Sequence, residues 1–354
     1  MTCRYWSPRV DALSPYVPGE QPQQGERLIK LNTNENPYPP SPEVANTLAA
    51  YDVENLRLYP DPDARELRKS IADYYDVGVE DIFVGNGSDE VLAHSFMAFF
   101  KQKEPILFPD VTYSFYTVYC ALYDIHYKAL AVHDDFTIGL EAYSQSNGGI
   151  IIPNPNAPTG IGLSLNQVEQ LLKKNRDSVV IIDEAYVDFG GVSVIPLIKK
   201  YDNLLVIQTF SKSRNLAGMR VGFAVGNQQL IDGLERVKNS FNSYPLDTLA
   251  QAVAMSAIKD DAYFKKVCAM IIASRDLLAK RLESFGFEVL PSESNFLFVT
   301  HPEHKAESLY AGLKSKGVLV RHFAKPRINA YLRITVGKDE ENAALCDALE
   351  LILK

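Results

Sequence analysis

A lysine just past an apolar run can hold an aldehyde cofactor as an imine when hydroxyls and an arginine nearby hold that cofactor's phosphate. Lys212 has such neighbours. It lies in Gln208-Thr-Phe-Ser-Lys-Ser-Arg-Asn-Leu-Ala-Gly-Met-Arg-Val-Gly-Phe223, directly after the apolar run Leu204 to Ile207 and ahead of Arg220. Taken alone, a lysine is more often a solvated surface residue. Three further segments shift that balance. Val179-Val-Ile-Ile-Asp-Glu-Ala-Tyr186 ends an apolar run on Asp183, whose carboxylate is costly to desolvate without a partner. A protonated pyridine ring would be such a partner, although an ordinary cap or turn aspartate reads the same way. Phe83-Val-Gly-Asn-Gly-Ser-Asp-Glu90 reads as strand, glycine turn and helix start. Glycines let backbone approach a ligand, and the first helical amides point at an anion. Ser88 would serve equally as an ordinary helix N-cap, and Glu90 stands where a dinucleotide fingerprint needs its third glycine. Pro153-Asn-Pro-Asn-Ala-Pro-Thr-Gly160 is a proline-stiffened loop able to aim an asparagine amide.

These segments need a frame that brings their ends together. Short apolar runs at Ile82 to Val84, Ile106 to Phe108, Gly149 to Ile152, Val179 to Ile182, Leu204 to Ile207 and Val221 to Val225 alternate with helical patterns such as Ala64 to Tyr75, Ser88 to Phe100 and Leu165 to Lys174. That alternation predicts an α/β fold with a mostly parallel sheet covered on both faces. Its sites lie at the carboxyl ends of the strands. Between Asp183 and Lys212 come a short helical pattern, Ser193 to Lys200, and one strand, so the chain returns to the same sheet edge. The last third differs: a long helix from about Asp261 to Phe285, short strands, and a closing helix from about Asp339 to Leu353 predict a smaller α+β domain. Half of the 20 prolines fall in the first 62 residues. This predicts an extended arm, and Trp6, Tyr16, Leu28, Ile29 and Leu31 within it call for burial.

A chain of 354 residues with 46% hydrophobic content can build a large core. Its net charge of −8 argues against bulk nucleic-acid or anionic-membrane binding. Cys3, Cys120, Cys268 and Cys346 form no CxxC pair and read as reduced, mostly buried thiols, and no metal set is expected. The N-terminus lacks the apolar core of a signal peptide, and no run reaches the length of a membrane span, so a cytoplasmic location is expected.

With Asp183-Glu-Ala-Tyr186, Ser211-Lys212, Leu216-Ala-Gly-Met-Arg220, Leu31-Asn-Thr-Asn-Glu-Asn-Pro37 and Leu332-Arg-Ile-Thr-Val-Gly337 in view, the chain resembles the fold-type I pyridoxal-phosphate aminotransferases of class I/II. Within that group it is similar to the histidinol-phosphate aminotransferases over nearly its whole length. The resemblance implies an arm over 1–30 packing on the small domain or a partner subunit, a large cofactor-binding domain over 31–245, and a small domain over 246–354. It implies pyridoxal 5′-phosphate as cofactor. Lys212 would be the Schiff-base lysine and proton carrier, Asp183 the partner of the pyridine nitrogen, and Tyr186 a donor to the phenolic oxygen. Tyr113 would stack on the ring. Ser88, Asp89 through its amide, Thr209, Ser211 and Arg220 would hold the phosphate, joined by Tyr59 from the second subunit of a homodimer. Tyr16, Asn36, Arg321 and Arg333 fall where the family contacts substrate. The family commonly carries an asparagine directly before Pro-Thr-Gly, at Ala157 here; Asn156 is the expected replacement.

The resemblance also implies amino transfer from histidinol phosphate to 2-oxoglutarate, giving glutamate. A threonine-phosphate decarboxylase or an aromatic aminotransferase would suit the same arginines. A nucleotide-binding oxidoreductase or a non-catalytic module is the alternative of another class. The incomplete glycine motif disfavours the first, and the aligned acid, lysine and arginine disfavour the second.

Overall fold

Ile150–Pro153, Val180–Asp183 and Leu204–Thr209 are buried along their whole length. Branched apolar side chains on both faces leave such strands no stable place except between two layers of helices. In this computed structural model, which describes residues 4–22 and 28–354, they form the centre of a seven-stranded sheet. Its spatial order is Ile82–Asn86, Val221–Gly226, Leu204–Thr209, Val180–Asp183, Ile150–Pro153, Ile106–Pro109 and Tyr127–Leu130. Val221–Gly226 runs antiparallel to both neighbours, and the other pairings are parallel. The mostly parallel α/β sheet expected from the alternation is therefore present. The edge strand Tyr127–Leu130 was not expected: it is largely exposed and lacks an apolar run.

Helices follow their periodic patterns. Leu165–Lys174 buries Val168, Leu171 and Leu172, and a capping box joins Ser164 to Gln167. Arg65–Tyr75 buries Leu67 and Ile71. The helix after the glycine turn spans Gly87–Phe99, so Ser88 lies in its first turn and is not its cap. The Asn86 side chain makes no cap bond there among the described residues, and the leading amides stay available to an outside acceptor. Gly222 makes this packing possible: a Cβ there would meet the Ser88 nitrogen at 2.3 Å.

Val180–Asp183 pairs in parallel with Leu204–Thr209, with Asp183 opposite Ile207. The connection between them holds two short 3-10 turns, Val187–Phe189 and Ile195–Lys199, the second with a proline in its first turn, rather than a longer helix. Alternation along the strand then separates two neighbouring acids. Glu184 turns inward and accepts from Ser193 Oγ at 2.6 Å, the Val194 amide at 2.6 Å and Gln208 Nε2 at 2.8 Å. Asp183 faces the other way.

A four-stranded antiparallel sheet of Arg321–His322, Tyr331–Thr335, Phe296–Thr300 and Glu288–Val289 makes the second layer system. Residue 246, the expected start of the small domain, directly precedes helix Thr248–Lys259. Helix Thr248–Lys259 buries Ala250, Val253, Ala254, Ala257 and Ile258 in the same core as Ile82, Val206 and Val225 of the large sheet. The apolar cluster under the small sheet begins with Leu278 and Leu282 of helix Asp261–Ser284, and Leu31 joins it. The arm is tied to this unit by the parallel pairing of Ile29–Lys30 with Val318–Leu319 and by Glu20 with Lys314 at 2.7 Å. Trp6, which the sequence suggested would be buried, is 53% exposed in the single chain. Cys120, Cys268 and Cys346 are free and buried, while Cys3 lies outside the described residues. Among the described residues, no helix is long and apolar enough to cross a membrane.

Candidate functional site

Strand order and direction bring four segment ends to one edge of the large sheet, and a cavity opens there. Asp183 and Lys212 both line it. Asp183 ends its strand and is buried. Its Oδ2 accepts from the Tyr116 hydroxyl at 2.9 Å, and its Oδ1 accepts from the Ala185 amide at 3.3 Å. Burial pushes its pKa up to about 6, against the lowering effect of those two donors. Lys212 follows the end of Leu204–Thr209. Its Nζ donates to the Thr33 carbonyl at 3.2 Å and stands 5.7 Å from the centre of the Tyr186 ring.

One end of the cavity is built for an anion. Ser88 and Asp89, in the first turn of Gly87–Phe99, line it with Thr209, Ser211 and Arg220. Thr209 Oγ1 donates to Ser211 Oγ at 3.0 Å. Arg220 adopts φ 54°, a left-handed conformation that non-glycine residues rarely take. The turn delivers its guanidinium to the Asp89 carboxylate at 2.9 Å. The opposite side carries Tyr16, Arg321 and Arg333. Arg333 donates from Nη2 to the Asn32 carbonyl at 2.9 Å, while its buried Nε has no partner among the described residues. Burial lowers its pKa. A desolvated guanidinium with an unused donor favours an incoming anion. Tyr113 lines the cavity and donates to Asp89 Oδ1 at 3.0 Å.

Twelve of the expected site residues thus meet in one place: Tyr16, Ser88, Asp89, Tyr113, Asp183, Tyr186, Thr209, Ser211, Lys212, Arg220, Arg321 and Arg333. Three do not. Asn36 donates to the Lys212 carbonyl at 2.9 Å and does not line the cavity. Asn156 is fully buried and its amide donates to the Val111 carbonyl at 2.9 Å. Ala157, at the place of the family's asparagine, lines the cavity, and Asn156 does not. Tyr59 is 82% exposed, stacked on Tyr244 at 4.8 Å, and lies outside its own chain's cavity. Asn34 and Tyr116 were missed. Asn34 sat inside a motif where Asn36 drew attention, and the contact of Tyr116 spans 67 residues with no local signal.

The chemistry of this donor set fits pyridoxal phosphate. A buried carboxylate without a cation beside it among the described residues would accept a protonated ring nitrogen. Uncapped helix amides, the three hydroxyls of Ser88, Thr209 and Ser211, and Arg220 suit a phosphate, and the lysine amine suits an aldehyde.

Residues 26–349 match the aminotransferase class I and II family. Histidinol-phosphate aminotransferase 1 of Hydrogenovibrio crunogenus is 58% identical over 351 residues, covering 99% of this chain and 98% of that protein. Histidinol-phosphate aminotransferase of Acinetobacter baylyi is 57% identical over 353 residues, with 99% and 98% covered. Among solved structures, histidinol-phosphate aminotransferase of Sinorhizobium meliloti in complex with pyridoxal-5′-phosphate superposes with a TM-score of 0.90 at 22% identity. It covers 99% of this chain and 98% of its own, a likeness of fold.

Proposed function

The chain belongs to the class I and II aminotransferases and, within them, to the histidinol-phosphate aminotransferases; from that premise we propose that it moves the amino group of L-histidinol phosphate to 2-oxoglutarate. The products are imidazole acetol phosphate and L-glutamate, a step of histidine biosynthesis. One observation carries the assignment of roles: Asp183, Lys212 and Arg220 share a cavity with Arg321 and Arg333.

Bound pyridoxal 5′-phosphate supplies an aldehyde that takes up the amino group and a ring that draws negative charge from the neighbouring carbon. The chain's own residues do the rest. Ser88, the Asp89 amide, Thr209, Ser211 and Arg220 would hold the phosphate, and Tyr113 would stack on the ring. Asp183 keeps the ring nitrogen protonated, a pairing that offsets the cost of its own burial. Tyr186 donates its hydroxyl to the phenolic oxygen. Lys212 Nζ would anchor the cofactor's aldehyde and would carry the proton at the substrate's amino-bearing carbon. Histidinol phosphate brings a phosphate and 2-oxoglutarate brings two carboxylates. The planar fork of arginine meets either anion, which supports Arg321 and Arg333 as the clamp beside Tyr16.

The test compares amino donors with 2-oxoglutarate as acceptor. Glutamate should form with histidinol phosphate, and threonine phosphate should release no carbon dioxide. Carbon dioxide release from threonine phosphate as the main reaction would replace this assignment with a decarboxylase.

The exposed Tyr59 has Leu56, Leu58, Phe241 and Tyr244 exposed as well. We place a second copy of the chain against this surface, with Tyr59 reaching the partner's phosphate seat. Tyr59→Ala should weaken cofactor binding about 10-fold, the value of one hydrogen bond to a charged group. Mixing Tyr59→Ala subunits with Lys212→Ala subunits should then restore activity, because each mixed dimer regains one complete site. No gain on mixing would put Tyr59 outside the neighbouring site. The free, buried cysteines support a reducing, cytoplasmic setting.

A further inference from the structure

Position 157 is alanine, and the neighbouring Asn156 amide is turned to the Val111 carbonyl. The Pro153–Gly160 loop therefore offers no side-chain amide to the cavity, and the Tyr186 hydroxyl carries that work alone. What Tyr186 can do depends on where its proton points. Asn34 Nδ2 donates to the Tyr186 hydroxyl at 2.9 Å. A hydroxyl that already accepts from an amide has its own proton left to give. Both residues line the cavity, so that proton has the cavity as its outlet.

Asn34 is held so that this polarity does not reverse. It is 1% exposed and adopts φ 56°, a left-handed conformation that asparagine tolerates better than most residues. Its amide N–H donates to Thr335 Oγ1 at 3.0 Å, so the Thr335 hydroxyl needs an acceptor of its own, which Asn34 Oδ1 supplies at 3.1 Å. Its carbonyl accepts from Asn295 Nδ2 at 3.0 Å. With the side-chain oxygen committed to Thr335, only the NH2 can face Tyr186.

We propose that Asn34 is a positioning residue that fixes the Tyr186 hydroxyl as a donor to the cofactor's phenolic oxygen, performing through Tyr186 what an amide at 157 would do directly. The inference rests on the proposed role of Tyr186 and deepens it. It also ties that donor to the strand Tyr331–Thr335, which carries Arg333 as well as Thr335. The ends of substrate and cofactor are thereby referenced to one element.

The test uses the holoenzyme and reads the pH at which the visible absorbance of the bound cofactor changes. A donor to the phenolic oxygen stabilises its anionic form, so losing the donor makes the proton shared with Lys212 harder to remove. Asn34→Gly keeps the left-handed backbone and deletes the amide. Asn34→Asp keeps the acceptor for Thr335 but presents an oxygen to Tyr186, drawing the hydroxyl proton away from the cavity. Both should raise the transition by about one pH unit. Tyr186→Phe should raise it as well, and in that background Asn34→Gly should add nothing. A transition unmoved in both Asn34 variants, or shifts that add in the double variant, would overturn the proposal. If Tyr186→Phe itself leaves the transition in place, the role given to Tyr186 fails, and the dependent role of Asn34 fails with it.

Discussion

Lys212→Ala is expected to lower turnover by about 10⁴-fold or more, since it removes the amine proposed as both covalent anchor and proton carrier. The variant should still bind pyridoxal phosphate. The proposed phosphate seat at Ser88, Thr209, Ser211 and Arg220, like Asp183, stands on elements that do not depend on the lysine side chain. Steady-state rates together with a fluorescence titration of cofactor separate the two effects. Near-normal turnover would remove Lys212 from its role, and loss of cofactor binding along with activity would make it chiefly a binding residue.

Asp183→Asn should act in opposite directions on catalysis and on stability. In the holoenzyme, removing the charge that faces the ring nitrogen is expected to cost on the order of 10³-fold in turnover. In the protein stripped of cofactor, the same charge is a burden. Its folded pKa is about 6 against an ordinary value of 3.8, so between those values the folded state holds more protons than the unfolded one. Stability therefore falls as pH rises from about 4 through 6 and levels off above. The difference of 6 − 3.8 corresponds to about 3 kcal/mol, or about 4 °C in Tm for a chain of this size. Cofactor-free Asp183→Asn should accordingly melt about 4 °C higher than the parent at pH 8, with the gap closing near pH 4. Asparagine keeps an oxygen for the Ala185 amide and, like the protonated acid, turns a donor to the Tyr116 hydroxyl, so the main difference from the acid at pH 8 is the charge. Equal melting at pH 8 would show that the carboxylate is already compensated without a cation, and the pairing assigned to it would lose its energetic basis.

The main sheet was legible because burial on two faces leaves a plain mark: continuous Ile, Val and Leu runs bounded by turns, as at Val180–Asp183 and Leu204–Thr209. Asp183 at the end of one run, Lys212 just past another and Arg220 just before a third were legible together: each alone has an ordinary reading, but a carboxylate ending a buried strand calls for a partner. The exposed edge strand Tyr127–Leu130 carries no such mark. Helix Thr248–Lys259 shows that periodicity reports a buried face without naming what covers it, and here the cover is the large sheet's core.

Residue types and their order determined the α/β plan, the family, and which strand ends bear the acid, the amine and the arginines. Tertiary structure alone decided which neighbours reach the cavity: Asn34 and not Asn36, Ala157 and not Asn156, and Tyr116 behind Asp183. A side chain's direction depends on its own φ and ψ and on partners up to hundreds of residues away, such as Thr335 for Asn34. Local sequence pattern carries neither.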